Sequence, residues 1–265
     1  DHAVDTRYVE VYGHAIKDVS YYTSLSQKEV FTKSSNIGTV KLLSNTSKDG
    51  FYKFMSGAGF GRKIGIEGMV EEAGVLREPK KWSGLSQASL SIGQEILVTP
   101  LQMVRYYAAI ANKGIAVRPN VVQRYQVGLS EYAPQRTSER IMSETTAATL
   151  MEMMDSTVKT GTGRGASTKA VSVGGKTGTG QLVDPVTRVY SKTDYVASFA
   201  GVFPVEDPKV AMVVIYEAPR SSIYGGSTGA TTFGKLAEQI SFFYNLGNDK
   251  TKLIVAGAGG ANAGE

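Results

Sequence analysis

Residues 171–181 read Val-Ser-Val-Gly-Gly-Lys-Thr-Gly-Thr-Gly-Gln and place one cation and two hydroxyls within four positions. The alternation of Val171, Ser172 and Val173 predicts a strand that runs into Gly174 and Gly175. Its end, Lys176-Thr177-Gly178-Thr179, presents an ammonium and two hydroxyls at one edge. Thr177 and Thr179 share a side because strand side chains alternate with period two. Gly178 between them lets another backbone approach closely. Such an edge suits an extended peptide ending in a carboxylate. Strand groups pair with its main chain, and hydroxyls and ammonium hold its charge. The same residues also fit an ordinary glycine-rich turn. A phosphate-binding P-loop does not fit, since its first glycine would fall at Ala170.

The second polar constellation is Ser34-Ser35-Asn36, wedged between two apolar segments. Plain helix capping accounts for Ser and Asn there; so does a functional triplet. Composition narrows the chemistry. The 265 residues include no cysteine and two histidines, His2 and His14, both near the start. That excludes a disulfide framework, thiolate metal sites and a Cys nucleophile. A Ser-His-Asp triad and a His-rich metal site are disfavoured, leaving Lys as the natural base. The net charge of +5 is spread out rather than run together, so nucleic acid is not indicated. No apolar run approaches the roughly 20 residues of a membrane-spanning helix. The chain opens on Asp1 without an initiator Met, as a piece of something longer would.

The elements that must position these residues follow from periodicity. Ser26 and Glu29 form a capping box for a helix carrying Val30 and Phe31 inward to about Lys33. A second helix buries Ile37, Val40 and Leu43, and a third, from Asp49 to Ala58, turns Phe51, Phe54 and Met55 inward. The glycine-rich stretch from Gly59 to Val98, with the single Trp82, reads as functional surface rather than core. Thr99-Pro100 opens a helix with Leu101, Val104, Ala108 and Ala111 as its apolar face and Gly114 as its stop. One or two strands are expected over 115–127. Ser143 caps a helix with Ala147, Leu150, Met151, Met154 and Val158 inward. Two strands, Tyr195 to Phe203 and Val210 to Tyr216, flank the loop Pro204–Pro208. A last helix, about Thr228 to Leu246, carries Phe233, Leu236, Ala237, Ile240, Phe243 and Tyr244 toward a sheet. This order predicts α+β: an antiparallel sheet covered by helices, with a helical lobe, and with part of the sheet lying outside the chain.

Ser34-x-Asn36 followed by Lys176-Thr177-Gly178 supplies two parts of the three-part signature, Ser-x-x-Lys being the first, of penicillin-binding proteins and class A β-lactamases. On these motifs the chain resembles a class B penicillin-binding protein of the septal cell-division transpeptidase type. The segments Phe31–Gly38, Phe60–Ile66, Glu72–Leu76, Ser91–Glu95, Thr99–Gln102 and Ala109–Gly114 are similar to that family too, so the likeness runs roughly from Gly13 to Leu246.

The resemblance implies the transpeptidase fold shared with serine β-lactamases, its N-terminal part missing. Residues 1–246 would be the C-terminal portion of the transpeptidase domain, and 247–265 a flexible Gly/Ala-rich tail. It further implies a serine DD-transpeptidase that cross-links peptidoglycan stem peptides ending in D-Ala-D-Ala through an acyl-enzyme, without cofactor or metal, and that β-lactams acylate. Ser34 would relay protons, Asn36 would help hold the active-site Lys and the substrate amide, and Lys176 would bind the terminal carboxylate and tune that Lys. Thr177 and Thr179 would hold the carboxylate along the Gly178 edge, and the Thr179 backbone N–H would be one oxyanion donor. Implied partners are the upstream segment of the same protein, divisome membrane proteins and a glycosyltransferase. The implied location is the extracytoplasmic face of the bacterial cell membrane, anchored by a segment absent from this chain.

Three departures matter. No Ser-x-x-Lys precedes Ser34, so the nucleophile is expected outside this chain. The one Ser-x-x-Lys present, Ser156 to Lys159, falls between the other motifs at a helix end, as does the near-duplicate turn Lys159–Gly163; both read as structural. Thr232 stands where the family usually has Pro after the Tyr224-Gly225-Gly226 segment. The competing readings are a non-catalytic penicillin-binding sensor, a serine β-lactamase and a structural divisome module.

Overall fold

Along β8 (Tyr190–Phe203), side chains divide between two cores by simple alternation, and this organises the molecule. In the computed structural model, residues 7–184, 186, 187 and 189–247 are described. Phe199 and Phe203 point to one face of the sheet and pack edge-on against Phe233 of α7 (Gly229–Tyr244). Ala200 and Val202 point to the other face, into a cluster with Met154 of α6 (Glu144–Thr160) and Tyr107 and Ile110 of α5 (Pro100–Ala111). The neighbouring strand β9 (Val210–Glu217) repeats the division: Val210, Met212 and Val214 on the α7 side, Ala211 and Val213 on the other. The sheet is antiparallel in the order β7-β8-β9, with β7 (Gly174–Val183) at one end. Helices on both faces make three layers.

The strand expected from Val171 begins at Gly174 instead. Val171 and Val173 are buried as predicted, but in the approach to the strand, where they join the Phe199–Phe233 cluster. The expected strand from Tyr195 starts earlier, at Tyr190.

Before the sheet, β1 (Val9–Val11) and β2 (His14–Ile16) form a hairpin. Then come α1 (Gln27–Lys33), α2 (Asn36–Leu43) and α3 (Lys48–Gly57). The α1 capping box is formed: Ser26 Oγ accepts from Glu29 N–H at 3.3 Å, and the Glu29 carboxylate accepts from Ser26 N–H at 2.9 Å. In α3, Met55 is buried, but Phe54 is exposed rather than inward.

The stretch from Gly59 to Val98 contains α4 (Ser86–Ser91) and departs from the expected functional surface. Trp82 and Leu90 are buried with Met55 in a small core, and Phe51 and Tyr52 meet the Trp82 ring edge-on. Polar side chains of α5 tie this irregular backbone down. Buried Gln102 donates to the carbonyls of Arg62 and Ala73, both at 2.8 Å. Buried Arg105 donates to the Val117 carbonyl at 3.2 Å and to Glu139 at 2.7 Å. The inward face of α5 is therefore Gln102, Arg105, Tyr107, Ala109 and Ile110; Leu101, Val104, Ala108 and Ala111 are only half-buried. An apolar stripe alone does not give this face, because two of its buried side chains are polar and donate to distant carbonyls.

Short ribbons β3 (Ile115–Val117) with β6 (Ser138–Arg140), and β4 (Tyr125–Val127) with β5 (Ser130–Tyr132), follow α5. In α7, Phe233 and Ala237 are buried as expected, whereas Leu236, Phe243 and Tyr244 are exposed. The tail expected from residue 247 falls, from 248 onward, outside the described residues.

Candidate active site

Ser34 ends α1 in the left-handed conformation, φ 58° and ψ 46°. That single residue reverses the chain, so Ser35 can begin α2 as its N-cap. Ser35 is buried: its hydroxyl donates to Asp18 at 2.6 Å and accepts from Gly38 N–H at 2.9 Å. Asp18 also accepts from Ile37 N–H at 3.0 Å. The middle residue of the triplet thus holds the turn together, and Ser34 is left exposed at its tip.

Lys176 of β7 reaches that tip. Its Nζ donates to Ser34 Oγ at 2.7 Å and to the Thr177 carbonyl at 3.1 Å, and lies 5.8 Å from the centre of the Phe31 ring. Part of the side chain remains open to solvent, yet protein crowds the ammonium, and this desolvation lowers its pKa to about 8. No ion pair offsets the burial among the described residues. Lys176 remains mostly cationic at neutral pH, but it gives up its proton far more readily than a surface lysine.

Along β7, Lys176, Thr177, Gly178 and Thr179 pair with Ala200, Phe199, Ser198 and Ala197 of β8. The opposite edge of β7 has no ladder partner among the described residues and is open to strand addition. The Thr177 hydroxyl lies 2.7 Å from that of Thr162, and the Thr179 hydroxyl accepts from Gly225 N–H at 3.2 Å. Gly225 sits where a side chain has no room: a Cβ would lie 2.3 Å from the Ser198 carbonyl and 2.5 Å from that of Gly178. The turn before α7 therefore closes tightly over the strand.

The structure brings Ser34, Lys176, Thr177 and Thr179 to one place across α1 and β7. Asn36 stands at the start of α2, and its amide donates to the Lys17 carbonyl at 2.9 Å; it is bonded to neither Ser34 nor Lys176. Ser156 and Lys159 do not act on each other. The Ser156 hydroxyl donates to the Glu152 carbonyl at 2.8 Å, and Lys159 pairs with Asp155 at 2.7 Å. The bond to Asp155 raises the Lys159 pKa, the opposite of what a base needs. Sequence reasoning missed Asp18, Thr162 and Gly225. The duplicated Lys-Thr-Gly-Thr-Gly turn was the signal for Thr162, and the tight Tyr224-Gly225-Gly226 run was the signal for Gly225.

Comparison with known proteins gives one direction. A family model described as the penicillin binding protein transpeptidase domain matches residues 4–238. The chain is 34% identical over 226 residues to the peptidoglycan D,D-transpeptidase FtsI of Escherichia coli K12, covering 84% of this chain and 37% of that protein. It is 32% identical over 228 residues to the penicillin-binding protein PbpB of Mycolicibacterium smegmatis, covering 82% and 35%. The chain thus spans little more than a third of the length of these relatives. Among solved structures, penicillin binding protein 3 of Mycobacterium tuberculosis complexed with aztreonam superposes with a TM-score of 0.83 at 28% identity, covering 91% of this chain and 57% of that one. The transpeptidase domain of penicillin-binding protein 3 from Burkholderia pseudomallei gives 0.81 at 28%, covering 92% and 72%.

Proposed function

Because the chain belongs to the penicillin binding protein transpeptidase family, we propose that it forms the carboxylate-binding and proton-relaying half of a serine D,D-transpeptidase site in peptidoglycan synthesis. The observation that carries this reading is the 2.7 Å bond from Lys176 Nζ to Ser34 Oγ beside the open edge of β7. A cation, a hydroxyl relay and an unpaired strand edge are what a peptide ending in a carboxylate requires.

In this reading a serine from the upstream segment attacks the penultimate D-alanine carbonyl. Its proton passes to an adjacent lysine of that segment, the carbonyl–nitrogen bond breaks, and the departing D-alanine amine receives a proton through Ser34. The amine of a second stem peptide then attacks the acyl-enzyme and releases the serine. Lys176 and the hydroxyls of Thr177 and Thr179 hold the terminal carboxylate, and the Thr179 N–H faces the oxyanion. Asn36 contributes through the substrate amide. Positive charge at Lys176 also disfavours protonation of the neighbouring lysine, which keeps that base ready. β-Lactams that mimic the D-Ala-D-Ala end acylate the same serine.

The role is septal, in company with divisome membrane proteins and a glycosyltransferase, on the extracytoplasmic face of the membrane. Among the described residues no helix is long and apolar enough to cross a membrane. The test is acylation of the full-length protein by fluorescent penicillin. Ser34→Ala and Lys176→Ala should each slow labelling by about 100-fold, the scale of losing a relay or a charge-assisted contact. Unchanged labelling in both would place the site elsewhere. Depletion in the source bacterium should give filaments; rounded cells would overturn the septal assignment.

A further inference from the structure

Thr162 lies in the tight turn that ends α6, outside every motif of the proposed site. Its backbone is fixed from two sides. Its N–H donates to the Thr32 carbonyl at the end of α1, at 3.2 Å. Its own carbonyl is pressed against Gly226, where a Cβ would lie 2.6 Å away. The preceding Gly161 is pressed on α1 as well, since a Cβ there would lie 2.3 Å from the Thr32 carbonyl. Lys33 adds a bond from its ammonium to the Thr160 carbonyl at 3.3 Å. A residue held this way offers its hydroxyl at a fixed point, and that point is 2.7 Å from Thr177 Oγ1.

We propose that Thr162 is a positioning residue that orients the Thr177 hydroxyl for the carboxylate of the ligand; this rests on the reading of β7 given above. Two hydroxyls at hydrogen-bond distance share one proton between them. If Thr177 donates to Thr162, its lone pairs face the ligand and repel an anion. If Thr162 donates to Thr177, the Thr177 proton is free to point at the carboxylate. A bound anion selects the second arrangement, and the chain from Thr162 through Thr177 to the carboxylate polarises the donor that touches the ligand. Thr162 also joins α1, which carries Ser34, to β7, which carries Lys176.

The experiment separates capture from chemistry in the full-length protein with fluorescent penicillin. Thr162→Val keeps shape and removes the hydroxyl. The dissociation constant of the initial complex should rise about ten-fold, while the limiting acylation rate and the melting temperature stay near wild type. Thr162→Ser should restore capture. In a Thr177→Val background, Thr162→Val should add no further loss, because its effect runs through Thr177. A Thr162→Val protein that captures penicillin like wild type, a Thr162→Ser protein that fails to restore it, or additive losses in the double variant would each overturn the proposal. If Thr177→Val itself leaves capture unchanged, the carboxylate reading of β7 fails and the proposal falls with it. If Thr177→Val weakens capture and Thr162→Val does not, only the role of Thr162 falls.

Discussion

The ring of Phe199 lies across the backbone of Gly175: a Cβ on Gly175 would stand 2.4 Å from Phe199 Cζ and 2.6 Å from the Ala200 carbonyl. Phe199 has nowhere to go, being fully buried with the Phe233 ring centred 4.8 Å away. Gly175→Ala should therefore destabilise the full-length protein by about 1–3 kcal/mol, the usual cost of overpacking. Adding Phe199→Leu should recover part of that loss. Urea denaturation of both single variants and the double variant measures the coupling; strictly additive losses would mean the ring does not press on the glycine.

Lys176 makes a prediction with a defined sign. Its folded pKa of about 8 lies below the ordinary lysine value of 10.5. Between these values the unfolded chain binds more protons than the folded one, so stability rises with pH across the window. Below about pH 8 the penalty of burying the charge is present in full. Relative to Lys176→Met, the wild type should gain about 2–3 kcal/mol between pH 8 and pH 10.5. Equal slopes for the two proteins would show that the ammonium is not desolvated.

The same titration runs the other way for ligand capture. A carboxylate is held by the charged form, so penicillin binding should weaken as pH rises through about 8. Lys176→Arg keeps its charge throughout this range. Its affinity, even if lower overall because of the changed geometry, should stay flat up to pH 9.5 or so. A parallel fall in both proteins would place the titrating group elsewhere.

Gln102 shows how a stretch of irregular backbone is kept in place. One side chain satisfies the Arg62 and Ala73 carbonyls and accepts from Thr99 N–H at 2.9 Å. Gln102→Leu fills similar volume but strands these groups in a buried position. The expected cost is about 2–4 kcal/mol, from more than one orphaned polar group. A loss below 1 kcal/mol in chemical denaturation would mean that water replaces the amide.

These cases also mark what could be read from the sequence. The capping box of α1, the helix start at Thr99-Pro100 and the motifs around Ser34 and Lys176 are local patterns, and they survive folding because their partners lie within a few residues or on a strand edge. The buried face of α5 was not legible. Gln102 and Arg105 look like surface residues until the distant carbonyls that need them are known. Phe243 and Tyr244 were misassigned for the converse reason, since apolar character alone does not say whether a layer reaches the helix end. In the sequence Thr162 reads as part of a structural turn, and its contact with Thr177 spans 15 residues and two elements. The bond from the Asn36 amide to the Lys17 carbonyl follows from the hairpin's return path, which no motif encodes.

Ser34 allows its backbone and its hydroxyl to be tested apart. It holds φ at 58°, a conformation that costs a residue with a β-carbon roughly 1 kcal/mol and glycine very little. Ser34→Ala and Ser34→Gly both remove the acceptor for Lys176, so their losses in penicillin acylation should match within a few-fold. Their stabilities should differ, with the glycine variant more stable than the alanine variant by about 0.5–1 kcal/mol. That order is the reverse of the one found inside a helix, where glycine is the weaker residue. It follows only if the left-handed turn is what joins α1 to α2. Denaturant titration of the two full-length variants decides the matter. An alanine variant as stable as the glycine variant, or more so, would show that position 34 is free to leave the left-handed region. The Ser34 hydroxyl would then not be held at Lys176 by its backbone.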